Sequence, residues 1–386
     1  MSTLQTALSR RTVLRSLSGV LTLGAVSCTE PVPPTTAETT VPRGPATSTP
    51  QAERRFGAEW ERQSRTFMSW PTKAIWMEDT AAVRGDIAGL ARAIGEFQPV
   101  VMLARPEDAD QAQRACGDDV EVIPIAVNDL WARDTLPVFI EEAGTLKGVD
   151  FHFNGWGNKQ NPHDSDAAAA AAVLGKYKIP SVDTWLVTEG GSLETDGAGT
   201  LLVTESSIVN ENRNPGKTRD EIEAELKRVL GVRKVIWFEG VRGQDITDAH
   251  IDCLVRFTAS GAVLLDRAFP GLAPDHWSRS ADQAKEVLSA NTDAHGKPFT
   301  VVDLPQPDPD KITGTGDDFV STYLNFYVAD KAVFIPKFGD AAADNRAAQI
   351  IRDNFPDREI VPVSIDAIAS GGGGIHCATH DQPAIA

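Results

Sequence analysis

From about residue 56 the chain repeats one pattern five times: a hairpin of two β-rich runs, an amphipathic helix and a closing strand. The clearest copies are "LLVTESSIVN" with "TRDEIEAELKRVLG" and "RKVIWF", "CLVRFTASGAVLLD" with "SADQAKEVLSAN" and "FTVVDLP", and "YLNFYVADKAVFIP" with "ADNRAAQIIRDNF" and "EIVPVSI". Two looser copies precede them, "RTFMSWPTKAIWM" with "VRGDIAGLARAIGEF" and "PVVMLA", and "PVFIEEAGTLKGVDFHF" with "DAAAAAAVLGKY" and "SVDTWLV". Glycines in "DG", "SG" and "EAG" fall at the hairpin turns, where a positive φ is needed. No unit of this kind can bury its own faces, so five in succession suggest an α/β fold with units set radially around a central axis. An open α/β sheet is the competing arrangement, and no GxGxxG follows a first strand to mark a nucleotide fold.

The N-terminus reads as an export segment. Arg10 and Arg11 precede the short apolar run "LSGVLTLGAVSC", a twin-arginine pattern too short to span a bilayer. Small residues lead into Cys28 as in a lipoprotein processing site, so residues 1–28 are expected to be a signal with a lipobox-like end and Cys28 a lipid anchor, with plain secretion as the alternative. Residues 29–54, rich in Pro, Thr, Ala and Ser, read as a disordered linker, and residues 55–386 as the catalytic domain. The expected location is the cell envelope or the medium.

Formal charge is −17, and losing Arg10, Arg11 and Arg15 with the signal would take it to −20. Such a surface excludes nucleic acid as a natural partner and suits a cationic substrate, or solubility alone. A homo-oligomer is compatible with the sequence, which does not determine it. Beyond Cys28 there are Cys116, Cys253 and Cys377. The odd count leaves at least one thiol free.

Polar residues that look out of place gather at the joins between units: Asp134 in "NDLWARDTLP", Glu189 in "TEGGS", His250 and Asp252 in "DITDAHIDCLVRF", and Cys377 after the last unit in "GGGGIHCATHDQP". In a radial fold these joins converge. A thiolate is a strong nucleophile and a histidine can move protons to a leaving group and from a water. Several carboxylates would suppress that thiolate by raising its pKa, unless the substrate is itself a cation. A guanidinium, planar with five donors, can be held by two carboxylates with its carbon facing the sulfur, which neutralises the acids as it binds.

"WARDTLP", "NGWGNK", "EGGS", "AHID", "STYLNFY", "PKFGD" and "GGGGIHCATH", in that order, resemble the motifs of the agmatine deiminase family, which is related to the bacterial peptidylarginine deiminases. The resemblance implies a five-bladed α/β propeller, the pentein fold of pseudo-symmetric ββαβ units. It implies no cofactor and no metal, and hydrolysis of a guanidino group to a ureido group and ammonia. Cys377 matches the family nucleophile, His250 its acid and base, Asp134 and Asp252 the carboxylates on the guanidinium, and Glu189 the acid beside the histidine. Trp131 and Asn325 match positions lining the pocket. The substrate so implied is agmatine, with peptidylarginine as the alternative. A lipoprotein that binds cationic amines without chemistry is the reading from another class.

Bland explanations stand beside these. Asp134 could pair with the adjacent Arg133, Trp131 and Trp156 could be core aromatics, and the four glycines could form a flexible lid. Leu136 and Ala249, where the family has glycine, are expected to crowd the site. His376 and His380 with Cys377 and Asp381 could form a metal site, although the preceding glycines disfavour a rigid ligand helix.

Overall fold

In the computed structural model, residues 53–314, 316 and 318–385 are described. The export signal, Cys28 and all but the last two residues of the expected linker lie outside the described residues. Arg54–Arg55 is already a strand, pairing antiparallel with Glu141 and Glu142.

The described residues form a mixed α/β structure with five small sheets. The three C-terminal sheets repeat one topology. Val255–Phe257 pairs antiparallel with Ala262–Arg267, helix His276–Ala290 crosses over, and Thr300–Pro305 returns parallel to the middle strand. Tyr327–Val328, Ala332–Lys337, helix Ala341–Asn354 and Glu359–Ser364 do the same. So do Glu194–Thr195, Thr200–Thr204, helix Arg219–Leu230 and Lys234–Phe238. A parallel return needs a crossover of this length, so the helix between the last two strands of each unit sets its register.

Local chemistry starts these helices where the topology needs them. Thr218 and Glu221 close a capping box on Arg219–Leu230, which stops at Gly231 with φ 71°. Asp275 and Ser278 make the same reciprocal pair, and the Asp340 carboxylate accepts from the N–H groups of Ala342 and Ala343. Ile222, Leu226, Val229 and Leu230 form the buried face of the first of these helices against its own sheet.

Two expected hairpins are differently built. "RTFMSWPTKAIWM" is not one: Gln63–Ser69 is a strand, but Lys73–Trp76 is a helical turn, and the antiparallel partner is the C-terminal strand Thr379–Pro383. The first sheet continues through Val100–Leu103 to Val120–Ile123, which a second crossover helix, Ala109–Cys116, adds to the expected unit. In "LLVTESSIVN" the second half is the helical turn Glu205–Ile208, and the partner of Thr200–Thr204 lies upstream, with Gly197 and Gly199 turning between them at φ 69° and 101°. The Val138–Glu142 and Thr145–Val149 hairpin is as expected, although its closing strand is only Ser181–Val182. Pairing the two ends of the described chain sets the turn carrying Cys377 directly before a strand of the first sheet.

Candidate active site

Each of the five expected catalytic residues stands in or next to a short turn rather than within a strand, where backbone direction changes and a side chain can leave its sheet. Asp134 is in the helical turn Ala132–Thr135, Glu189 precedes the 3-10 turn Gly190–Ser192, His250 and Asp252 flank the start of the turn Ile251–Cys253, and Cys377 is in the turn Ile375–Ala378. Asp134, Glu189, His250, Asp252, Asn325 and Trp131 are buried, whereas Cys377 keeps partial exposure.

Gly191 locates the convergence. A Cβ built there would lie 2.5 Å from His250 Nδ1, 2.9 Å from Asp134 Oδ1 and 3.2 Å from Asp252 Oδ2, so three joins from different units meet within the space of one methyl group. Cys377 adjoins the same carboxylate, its Sγ donating to Asp252 Oδ2 at 3.5 Å. Asn325 spans the pair, with Nδ2 3.2 Å from Cys377 Sγ and Oδ1 accepting from the Cys377 N–H at 3.2 Å.

The glycines of residues 371–374 are explained by close approach. Cβ atoms at Gly371, Gly373 and Gly374 would come within 2.0 Å of Trp76 Cη2, 2.4 Å of Trp131 Cζ3 and 2.7 Å of Asn325 Oδ1, while Gly372 takes φ 91°. Trp131 is therefore both a core aromatic, set beside Trp76 with ring centroids 6.2 Å apart, and the wall against which the loop before Cys377 is laid.

The protonation states are set by burial and by neighbours. Burial pushes Asp134 up to about 6, against the pull of His250 and with the push of Glu189 and Asp252. Burial disfavours a charged His250, yet Asp134 and the 3.2 Å contact of its Nε2 with Glu189 Oε2 hold its proton up to about 9. Asp252 stays ionised despite burial, drawn down to about 2 chiefly by His376, whose Nδ1 is 2.8 Å away. For Cys377 a hydrogen bond from Cys253 pulls the thiol down, but burial with Asp252 and Asp134 pushes it up, and the balance is upward. This is the suppression expected of a thiol among acids. It leaves a site whose resting charge invites a cation.

Several residues outside the expected set hold this arrangement. Trp156 donates its indole N–H to Asp134 Oδ2 at 3.0 Å, so it is not only a core aromatic. Arg213, wholly buried, pairs with Glu189 at 2.7 Å and Asp248 at 2.9 Å and keeps the Glu189 carboxyl below its usual range despite burial. Glu59 accepts from Arg133, Arg256 and the Val328 N–H and lies 2.9 Å from His376 Nε2. Nothing in a single sequence marks these. "NRNP" and "AEWE" carry no periodicity that would set an Arg or a Glu apart.

Three bland readings are replaced. Arg133 turns away from Asp134 and pairs with Glu59 and Asp381. Leu136 does not crowd the site, because it packs among Phe67, Val101, Phe139 and Leu174 in a separate apolar cluster. The expectation for Ala249 is not among these three: the residue adopts φ 66°, the left-handed region that a glycine would occupy without strain. His380 gives its Nε2 to the Pro137 carbonyl and Asp381 pairs with Arg133, so neither joins Cys377 as a ligand set.

Known proteins resemble the chain over nearly all of its described length. The family model described as Porphyromonas-type peptidyl-arginine deiminase matches residues 55–383. An agmatine deiminase of Medicago truncatula is 34% identical over 360 residues, covering 85% of this chain and 96% of the relative. Among solved structures, the agmatine deiminase of Enterococcus faecalis, described as catalysing its reaction, superposes with TM-score 0.79 at 30% identity over 86% of this chain and 96% of its own. A substrate-bound agmatine deiminase variant of C. jejuni gives 0.76 at 27% identity, over 85% and 96%.

Proposed function

Since the chain belongs to the family that unites agmatine deiminases with the Porphyromonas-type peptidyl-arginine deiminases, we propose that it hydrolyses the guanidino group of agmatine to N-carbamoylputrescine and ammonia. The observation that carries the reading is the meeting of Cys377, His250, Asp134 and Asp252 around Gly191 and Asn325. Supporting it, the Oδ1 atom of Asp252 is buried and has no hydrogen-bond partner, a free acceptor beside the nucleophile. A guanidinium N–H supplies the missing donor.

The course runs as follows. Asp134 and Asp252 take the guanidinium in charge-assisted bonds worth about 1.5–3 kcal/mol each. The added positive charge offsets the acids, so Cys377 loses its proton as the cation settles and its sulfur attacks the guanidino carbon. The tetrahedral adduct collapses when His250, already protonated, gives its proton to the departing nitrogen as ammonia. A covalent thiouronium remains on Cys377. His250, now neutral, takes a proton from water as that water attacks. Collapse of the second adduct expels the sulfur, which takes the remaining hydroxyl proton to restore the thiol, and leaves the neutral ureido product. Glu189, held by Arg213, orients the His250 ring. Trp131 and Asn325 line the pocket.

We extend the proposal to architecture and location. The five sheets are read as five ββαβ blades around an axis with the site at its centre, which fits the antiparallel pairing of Thr379–Pro383 with Gln63–Ser69. Export by the twin-arginine route and anchoring at Cys28 are read from residues 1–28 alone. Among the described residues no helix is long and apolar enough to cross a membrane.

The family description favours a second reading, in which the guanidino group belongs to an arginine in a peptide. One assay decides. Purified protein receives agmatine, free arginine or an arginine-containing peptide, and ammonia and the ureido product are followed, with Cys377→Ser as control. Turnover of agmatine first supports the proposal, and turnover of the peptide first supports the second reading. Binding without ammonia in any arm would leave a cationic-amine receptor.

A further inference from the structure

We propose that Cys253, Cys377 and Asp252 form a site for a thiophilic divalent cation of the zinc class, which blocks the nucleophile reversibly. The sulfur atoms of the two cysteines and a carboxylate oxygen of Asp252 all lie within 4.8 Å of one another. They also face one point. Asn325 Nδ2 stands 3.2 Å from Cys253 Sγ, 3.2 Å from Cys377 Sγ and 3.3 Å from Asp252 Oδ2. Two thiol sulfurs and a carboxylate oxygen converging on one place have the layout of a donor set.

The dimensions agree. With Zn–S near 2.3 Å and Zn–O near 2.0 Å, a tetrahedral ion spaces sulfur from oxygen by about 3.5 Å and sulfur from sulfur by about 3.8 Å. Cys377 Sγ to Asp252 Oδ2 is 3.5 Å. The Asp252 carboxylate is buried, and its second oxygen, Oδ1, has no hydrogen-bond partner. Both cysteines are free and partly exposed, so an ion can reach them.

On binding, each thiol releases its proton to solvent as its sulfur donates an electron pair, and Asp252 donates through its carboxylate. Two thiolates and one carboxylate then face a dication, with the Asn325 amide turned aside and water or its oxygen in the fourth position. Two sulfur ligands select soft or borderline ions over magnesium or calcium. The ion occupies the sulfur and the carboxylate that the guanidinium reaction needs, so it competes with substrate. Cys253 has no step in the proposed hydrolysis, which makes it the residue that separates the two properties.

The test uses the full chain kept reduced with a phosphine, each protein being compared with its own zinc-free rate on agmatine. Zinc is expected to inhibit competitively, and magnesium not at all. Loss of even an outer-shell partner weakens metal binding about 10- to 100-fold, so Cys253→Ser should raise the inhibitory zinc concentration by at least about 100-fold. Cobalt(II), titrated as a spectroscopic probe, should give a thiolate-to-metal charge-transfer band that is diminished in Cys253→Ser and in Cys377→Ser. Equal zinc sensitivity of Cys253→Ser and the parent, or cobalt binding without that band, overturns the proposal. The cobalt titration needs no turnover, so it decides the site even if no guanidine proves to be a substrate.

Discussion

Trp156 donates its indole N–H to Asp134 Oδ2 across 3.0 Å from a turn in which Gly155, Trp156, Gly157 and Asn158 all have positive φ, 69°, 53°, 78° and 61°. A non-glycine residue in that region costs about 1–2 kcal/mol. The turn is held by Asn154, whose side chain accepts from the Gly157 N–H, and by Lys159, whose Nζ donates to the Asp245 and Ile246 carbonyls and pairs with Asp248 at 2.6 Å. Together with the Gly191 N–H at 2.9 Å, the indole fixes the Asp134 carboxylate while leaving it buried. Trp156→Phe keeps most of the ring and removes the donor. A hydrogen bond to a charged group is worth about 1.5–3 kcal/mol, so kcat/KM for agmatine should fall about 10- to 150-fold. A change under threefold would deny Trp156 this orienting role.

Asp134→Asn removes a charge-assisted bond and its orientation together. Steady-state kinetics should give a kcat/KM lower by at least about two to three orders of magnitude. Near-normal turnover would contradict the role given to this carboxylate.

The pH profile follows from the two shifted groups. In the proposed course Asp134 is ionised to hold the guanidinium, and burial has raised it to about 6, so kcat/KM should drop about tenfold per unit as pH falls below that value. In the same course His250 begins protonated to release ammonia, and its acidic neighbours keep the proton to about 9, so a second limb should descend above that pH. The plateau lies between. An acid limb found only below pH 4 would mean that some other carboxyl governs binding.

Arg213 lies beneath Glu189 and Asp248 with no exposed side-chain surface. Arg213→Met leaves two buried carboxylates without that partner, and breaking a buried pair from one side costs about 3–5 kcal/mol. Urea denaturation should show that loss. An unchanged midpoint would mean that Lys159 and His250 compensate the two acids without Arg213.

Gly191→Ala puts a methyl group where His250, Asp134 and Asp252 meet. Displacements near 1 Å in such a site cost about 100-fold in rate, and that loss is expected in kcat/KM. Gly85→Ala is the matched control. It lies in helix Thr80–Gly95 with nothing within 4 Å of the new Cβ, so it should stabilise the fold by about 0.5–1 kcal/mol without touching turnover. Equal activities for the two variants would remove Gly191 from the site.

Helices and their ends are governed by neighbours in sequence, which is why "TRDEIEAELKRVLG" maps onto Arg219–Leu230 with its Thr218 cap and Gly231 stop. The joins were legible for a related reason: Asp134, Glu189, His250, Asp252 and Cys377 interrupt apolar strand ends, where a polar residue has no local use. What the local pattern could not supply were partners from elsewhere in the chain. The first strand of the opening sheet takes its antiparallel neighbour from the last strand of the described chain, and a two-residue alternation reads identically whichever strand lies beside it. Trp156 on Asp134, Arg213 under Glu189 and Glu59 between Arg133 and His376 depend likewise on where side chains point after packing. Sequence by itself determined which residues could do chemistry and which runs could be helix or strand, since those depend on residue type and spacing. Tertiary structure decided which acid stays charged and which is raised, because burial and the charge of a distant partner act only once the chain has brought them together.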